Sequence, residues 1–444
     1  MRKDINIGLI GLGTVGTGVA KILLNQENFI REYEKLSLKL CKIADIDITK
    51  DRGIKIPQDI LTTNVKDIID NPDIDIVVEL IGGLKPASEF IFSALKAGKH
   101  IVTANKAVLA EHGKSLFQTA KENKVIIKFE ASVGGCIPII GSLLDGMSAN
   151  NILAIYGIVN GTCNYILTQM AQRGIDFDTA LKEAQAKGYA EAKPDYDIEG
   201  IDSANKIVIL TSLAYETEIK LNDIYIEGIT KITQNDIQYA HEFGYQIKLL
   251  AIAKLIDGDK IQVRVHPTMI PKDTMLANVE GVFNAIYVLG NAAGATMFYG
   301  RGAGQMPAAS AVVGDIINVA KSIIAGTDPY LLPQPTLEKT TYTLKPMDEC
   351  ETRYYIRLQV LDKPEVLAKI SGILGQHNIN IASVIQKERK IGESVPLIMM
   401  THEAIEKNMK SALQEINKLD VITEETMMIR VESMDGQEEN LAIV

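Results

Sequence analysis

Near the start of the chain, Gly11-Leu12-Gly13-Thr14-Val15-Gly16 follows a short apolar run and opens a helical pattern. Between a strand and a helix, three glycines at this spacing have separate uses: a tight turn, a close approach of backbone to a pyrophosphate, and close packing of helix on strand. The phosphates then sit at the helix N-terminus. This is dinucleotide-binding chemistry. The next strand ends Lys42-Ile43-Ala44-Asp45, and an acid there accepts hydrogen bonds from a ribose 2′-hydroxyl but repels a 2′-phosphate. Asp45 comes 29 positions after Gly16 because residues 25–39 are inserted, against a usual spacing of about 20. NAD is favoured on that account, and Lys42 or Lys50 keeps NADP open.

Four further clusters carry polar groups in suggestive places. Val78-Glu79-Leu80-Ile81-Gly82-Gly83 ends a strand with two glycines, so backbone can pass beside a cofactor. Thr103-Ala104-Asn105-Lys106 closes another strand; ligands of open α/β sheets lie beyond the carboxyl ends of the strands, which puts Lys106 toward the site. Asp202 and Lys206 are four apart, hence on one helix face, and the following run Ile207-Val208-Ile209-Leu210 predicts that this helix is largely buried. An exposed pair of that kind would be worth only a few tenths of a kcal/mol. Before it lies a loop dense in carboxylates, Gly188-Tyr189-Ala190-Glu191-Ala192-Lys193-Pro194-Asp195-Tyr196-Asp197.

The elements that must hold these groups follow from periodicity. Strand-like runs at 5–10, 38–44, 74–80, 100–103 and 125–130 alternate with helical stretches at 14–24 and 89–97, which predicts an α/β fold with a Rossmann-type parallel sheet. From residue 131 the pattern becomes α+β, with helices expected at 177–187, 202–215 and 234–245 and strands at 249–255 and 261–266. A long apolar helix is expected at 310–324. After a proline-bearing stretch, 354–431 reads βαββαβ, a ferredoxin-like unit complete in itself. The expected division is a nucleotide-binding domain, 1–130, completed by 301–325; a catalytic and dimerisation domain, 131–300; a linker, 326–350; a regulatory domain, 351–431; and a polar, frayed tail, 432–444.

With 444 residues, 46% of them hydrophobic and 23% charged, the chain has ample material for several cores. A net charge of −10 excludes a broad basic surface, so neither nucleic acid nor an anionic membrane is an expected partner. The start of the sequence has no signal-like apolar region, and Cys41, Cys136, Cys163 and Cys350 are scattered without CxxC pairs. A cytoplasmic protein with reduced, structural thiols is expected.

Taken together, the motifs resemble homoserine dehydrogenase with a C-terminal ACT regulatory domain. The resemblance covers nearly the whole chain and rests on GLGTVGTGV from Gly11, TANK from Thr103, EASVGGCIPII from Glu130, VNGTCNYIL from Val159, GYAEA from Gly188, the Asp202 and Lys206 pair, and GRGAGQMPAASAVVGD from Gly300. It implies NAD(P)-dependent interconversion of L-aspartate 4-semialdehyde and L-homoserine. Lys206 is implied as the acid/base lysine with Asp202 its partner, and Lys106 as a second lysine at cofactor and substrate. Glu191 and Asp197 are implied to grip the substrate amino group, with Tyr189, Gly161 and Thr162 around it. Gly302 is implied beside the nicotinamide. Backbone oxygens of Glu130, Val133, Gly135 and Ile137 are implied ligands of a monovalent cation, sodium or potassium. Threonine is the implied effector, and a homodimer or homotetramer the implied assembly.

The chemistry agrees with these roles. Reducing an aldehyde needs a hydride at carbon and a proton for the developing alkoxide, and a lysine kept charged by a carboxylate supplies the proton. One departure is Lys193, a base where the family's AEADP carries an acid. Two other readings are a dehydrogenase of another small substrate and an amino-acid sensor without catalysis; the intact Asp202, Lys206 and Lys106 set argues against a sensor.

Overall fold

A computed structural model describes residues 4–329, 334–338, 342–387 and 393–434. The chain divides into two compact units: Met1–Gly161 with Asn205–Asp223 and Phe283–Tyr342, and Thr162–Ala204 with Ile224–Val282 and Thr343–Val444.

In the first unit, six parallel strands lie in the order Leu61–Thr62, Ser37–Ala44, Asp4–Ile10, Ile76–Glu79, His100–Thr103, Ile127–Lys128. The order turns back at the first strand, which is the doubly wound arrangement with its ligand crevice at the strand carboxyl ends. The central strands are apolar on both faces: Ile7, Leu9, Val78 and Val102 are buried on one, and Ile10, Val77 and Ile101 on the other. The insertion at 25–39 contains a short helix, Glu27–Glu34, that the sequence reading left out. The long apolar helix runs Gln305–Ala325. By length and composition it could cross a membrane, but Val312, Ile316 and Val319 belong to the same core as Ile7 and Leu9. It also lies tight on the helix Thr14–Asn25, where a Cβ on Gly18 would come 2.8 Å from Ala309 Cβ. The same unit has an antiparallel trio, Ile152–Ile158, Phe283–Gly290 and Gly294–Arg301, whose hairpin was not anticipated.

In the second unit, two twelve-residue strands, Tyr245–Ile256 and Lys260–Pro271, pair along their whole lengths. The C-terminal elements are Glu351–Leu361, Val366–Gln376, Ile381–Ile385, Ser394–Thr401, Glu406–Ile416 and Met427–Val431, a βαββαβ series. The fourth of these strands pairs with the first, the first with the third, and the third with the second. Helix stripes Val366, Ile370, Leu374 and Met409, Leu413, Ile416 close its core.

This βαββαβ unit is not the freestanding module its pattern suggested. Its strand Met427–Val431 also runs parallel to Lys260–Pro271, matching Thr268 with Arg430 and Met269 with Val431. Buried charges weld the joint. Arg430 reaches Glu406 at 2.5 Å, Glu227 at 2.7 Å and the Tyr225 hydroxyl at 3.1 Å. Glu432, placed by the sequence reading in a frayed tail, is 3% exposed and pairs with both Arg264 and Lys254. Apolar periodicity cannot report such ties, because they are made by polar residues of distant segments. The expected tail from residue 435 onward lies outside the described residues.

Candidate active site

The three glycines of the first turn behave differently, as a dinucleotide loop requires. Gly11 has φ +99°, a conformation open to glycine. A Cβ on Gly16 would lie 2.0 Å from the Gly11 carbonyl oxygen, so helix and turn touch there. A Cβ on Gly13 would meet nothing within 4 Å, which leaves backbone bare toward open space at the head of the helix Thr14–Asn25. Those features fit a nicotinamide dinucleotide: a bare turn, a packed turn and an N-terminal helix dipole for the pyrophosphate. Asp45 closes the turn from the second strand, accepting from Leu12 N at 2.5 Å and from Arg52 at 3.1 Å. Lys42 instead turns to the Asp59 carbonyl at 2.7 Å. The cation beside Asp45 is therefore Arg52, which sequence reasoning missed, and its Nε is buried without a hydrogen-bond partner among the described residues.

Glu79 was also overlooked as a functional group. It is fully buried at the end of its strand and accepts from Thr103 Oγ1 at 2.8 Å, Ile81 N at 2.8 Å and Gly82 N at 3.4 Å. Burial raises its pKa, against those donors. One carboxyl thereby fixes Thr103 and the Gly82 turn. Asn105 caps the helix Lys106–Glu122 through Val108 N and donates to the Gly83 carbonyl at 2.8 Å, so Lys106 begins a helix held on the same turn. An acid ending an otherwise apolar strand was the available signal.

Lys206 lies on the helix Ile201–Tyr215, 8% exposed, and its Nζ donates to the Val159 carbonyl at 2.5 Å. Asp202, one turn earlier, is 3% exposed. The burial expected from Ile207–Leu210 is present. In the second unit, Thr162 Oγ1 lies 2.6 Å from the Tyr189 carbonyl and 3.1 Å from Asp197 Oδ2, so three of the expected substrate residues meet. Glu191 is exposed beside them in sequence, and its carbonyl accepts from Gln185 at 3.1 Å.

The turn 130–137 is built around positive φ at Gly134 and Gly135. A Cβ on Gly135 would come 2.7 Å from the Gly302 carbonyl carbon and oxygen, and one on Gly302 would collide with Asn284, itself bonded to the Ile158 carbonyl. The structure thus brings Gly135 and Gly302 into backbone contact. The Glu130 carboxylate points back to Ile140 N and Gly141 N, at 2.7 and 2.8 Å, while its own N–H donates to Asp315. Burial raises both carboxyls, Asp315 to about 7. Ile137 O already accepts from Ile139 N, at 2.8 Å.

Comparison with known proteins gives this geometry a family. Family models described as homoserine dehydrogenase, NAD binding domain, as homoserine dehydrogenase and as ACT domain match residues 11–130, 138–317 and 354–421. A homoserine dehydrogenase of Helicobacter pylori is 45% identical over 437 residues, 98% of this chain and 100% of the relative. The crystal structure of a homoserine dehydrogenase from Thiobacillus denitrificans superposes with a TM-score of 0.90 at 43% identity, covering 97% of this chain and 99% of that one. A hyperthermophilic archaeal homoserine dehydrogenase, solved in complex with NADPH, matches 72% of this chain and 98% of its own at 28% identity and a TM-score of 0.61. Neither a catalytically inactive sensor nor a dehydrogenase of another substrate finds support among these relatives. An intact dinucleotide loop and full-length similarity at this level place the chain in the homoserine dehydrogenase family, NAD(P)-dependent oxidoreductases acting on a CH–OH group.

Proposed function

We propose that Lys206 is the proton-transfer residue of the homoserine dehydrogenase reaction, with Asp202 keeping it charged and Lys106 acting beside cofactor and substrate. The bound cofactor supplies the hydride to the aldehyde carbon. Lys206 gives the proton to the aldehyde oxygen in reduction and takes it from the alcohol in oxidation, so hydride plus proton balance the two-electron step. The observation that carries this reading is the burial of Lys206 with its Nζ fixed on the Val159 carbonyl: the ammonium is held, and partly desolvated, before substrate arrives. Glu191 and Asp197 take the substrate ammonium, with Tyr189, Gly161 and Thr162 shaping the pocket. Replacing Lys206 tests the assignment, as argued below.

For the cofactor, Gly11, Gly13, Thr14, Val15 and Gly16 take the pyrophosphate side, Gly82 and Thr103 the middle, and Gly302 the nicotinamide. Asp45 receives a ribose 2′-hydroxyl, and the Arg52 guanidinium beside it receives a 2′-phosphate, so both NAD and NADP serve. Arg52→Ala should lower kcat/KM with NADPH by about tenfold, the loss of one charged hydrogen bond, and hardly change it with NADH. Equal losses with both would sink this role.

Backbone oxygens of Glu130, Val133, Gly135 and Ile137 hold a sodium or potassium ion in this reading. The two positive-φ glycines and the contact of Gly135 with Gly302 support it, since an ion there would stiffen the nicotinamide side. Activity should rise with sodium or potassium over tetramethylammonium at matched ionic strength; indifference to the cation reduces the turn to a hinge.

The ACT domain takes an amino-acid effector, threonine, at the turn Asp362-Lys363-Pro364 in a cytoplasmic homodimer or homotetramer. Threonine titration of the full chain and of Asp362→Ala tests this, and equal sensitivity would place inhibition elsewhere.

A further inference from the structure

The helix Gln234–Glu242 has different neighbours on its different sides. On one, Asp236 is gripped by Arg357 Nε at 2.7 Å and the Tyr355 hydroxyl at 3.1 Å, both from the first strand of the ACT domain, and Glu242 holds Lys387 at 2.5 Å. On another, the helix lines a cleft of about 530 Å³ with parts of the helix Gly161–Arg173 and the strand Tyr245–Ile256. That volume lies within the range of about 300–1,000 Å³ typical of small-molecule sites. No role assigned above uses it.

Its lining has an ordered charge pattern. Lys248 is 3% exposed, and its Nζ donates to the Val279 carbonyl at 2.7 Å and to Asn164 Oδ1 at 3.4 Å, two acceptors for an ammonium with three N–H groups. Burial lowers its pKa to about 8. Glu280 is exposed and accepts from Gln172 at 2.7 Å, and Glu242 is the second acid of the lining. Leu167 and Ile237 supply buried apolar wall. A plain anion would meet Lys248 but face both glutamates, and a plain cation would meet the glutamates but leave the Lys248 ammonium unanswered. A molecule with both charges uses both ends.

We propose that this cleft binds a free α-amino acid, its carboxylate on Lys248 and its ammonium on Glu280, as a site separate from both the substrate residues and the ACT turn. Glu242, shared between the cleft and Lys387, gives an occupant a route to the ACT domain through one helix. The proposal does not depend on threonine acting at Asp362.

The test is calorimetric titration of the full chain with each of the twenty L-amino acids in turn. At least one should bind with an affinity that falls by about tenfold or more, the loss of one charged hydrogen bond, in Lys248→Met and in Glu280→Gln. That binding should persist in Glu191→Gln and in Asp362→Ala. Glu280 is on the surface, so its variant decides the matter even where Lys248→Met fails to fold. Absence of binding by all twenty, or binding lost only with Glu191 or Asp362, overturns the proposal.

Discussion

Lys206→Met should lose about 10²–10⁴ in kcat, the scale of a removed general acid, while cofactor binding followed by fluorescence survives. The competing role for this lysine is architectural, since its Nζ holds the Val159 carbonyl in a buried place. The two roles separate by magnitude and by readout. A lost structural hydrogen bond would cost about 1–3 kcal/mol of stability and show in the melting temperature. A lost proton donor shows in kcat, with the nucleotide loop at Gly11, Gly13 and Gly16 untouched. A variant that melts early but turns over at nearly the normal rate would leave Lys206 as a brace and move the proton transfer elsewhere, with Lys106 the next residue to replace.

Glu432→Gln should destabilise the chain by about 3–5 kcal/mol, the cost of leaving a buried charge without its partner. Two cations depend on this carboxylate, Arg264 with a side chain 2% exposed and Lys254 with one 15% exposed. Burial alone would push the Glu432 carboxyl up, but Lys254 and Arg264 overcome it and hold the pKa below the ordinary glutamate value. The sign follows: a group with a lowered folded pKa contributes stability above the pH where a free glutamate titrates, and loses it as pH falls through the folded value. The gap in melting temperature between parent and Glu432→Gln should therefore narrow in acid. A shift of a degree or less at neutral pH would refute the buried-pair account. On the same grounds, cutting the chain near Ala325 should give an unstable catalytic remnant, because it strips partners from Arg264, Lys254 and Glu227 together. Point changes in the ACT domain are the cleaner probes of regulation.

The nucleotide-binding half was legible because its determinants are local. Each strand is a short apolar run, the turns at Gly11 and at Gly82-Gly83 carry glycine where φ is positive, and Lys106 follows its strand closely. That Asp202 and Lys206 share one buried helix was legible for the same reason, from their spacing of four and the apolar run after them. Glu79 was not, since its meaning depends on Thr103 from the next strand, and Arg52 was not, since it reaches Asp45 across seven residues of a loop that has no periodicity to read. The hairpin Phe283–Gly290 with Gly294–Arg301 has a readable pattern, a β-rich run followed by Asn291-Ala292-Ala293-Gly294. What periodicity could not give was the seam at Met427–Val431, where a self-sufficient apolar pattern hides an edge that pairs with another part of the chain.

That seam also sets an order of events during synthesis. Lys260–Pro271 leaves the ribosome long before residue 427, and until the later strand arrives its Thr268–Met269 edge has neither the ladder partners Arg430 and Val431 nor the Glu432 N–H that bonds the Met269 carbonyl at 3.0 Å. Arg264 waits there without the Glu432 carboxylate. A nascent chain of this length therefore carries an open strand edge through the translation of more than a hundred residues, the kind of exposure that chaperones shield and that invites pairing between neighbouring chains. Translational pausing between residues 271 and 427 should accordingly lower the soluble yield more than pausing before residue 260.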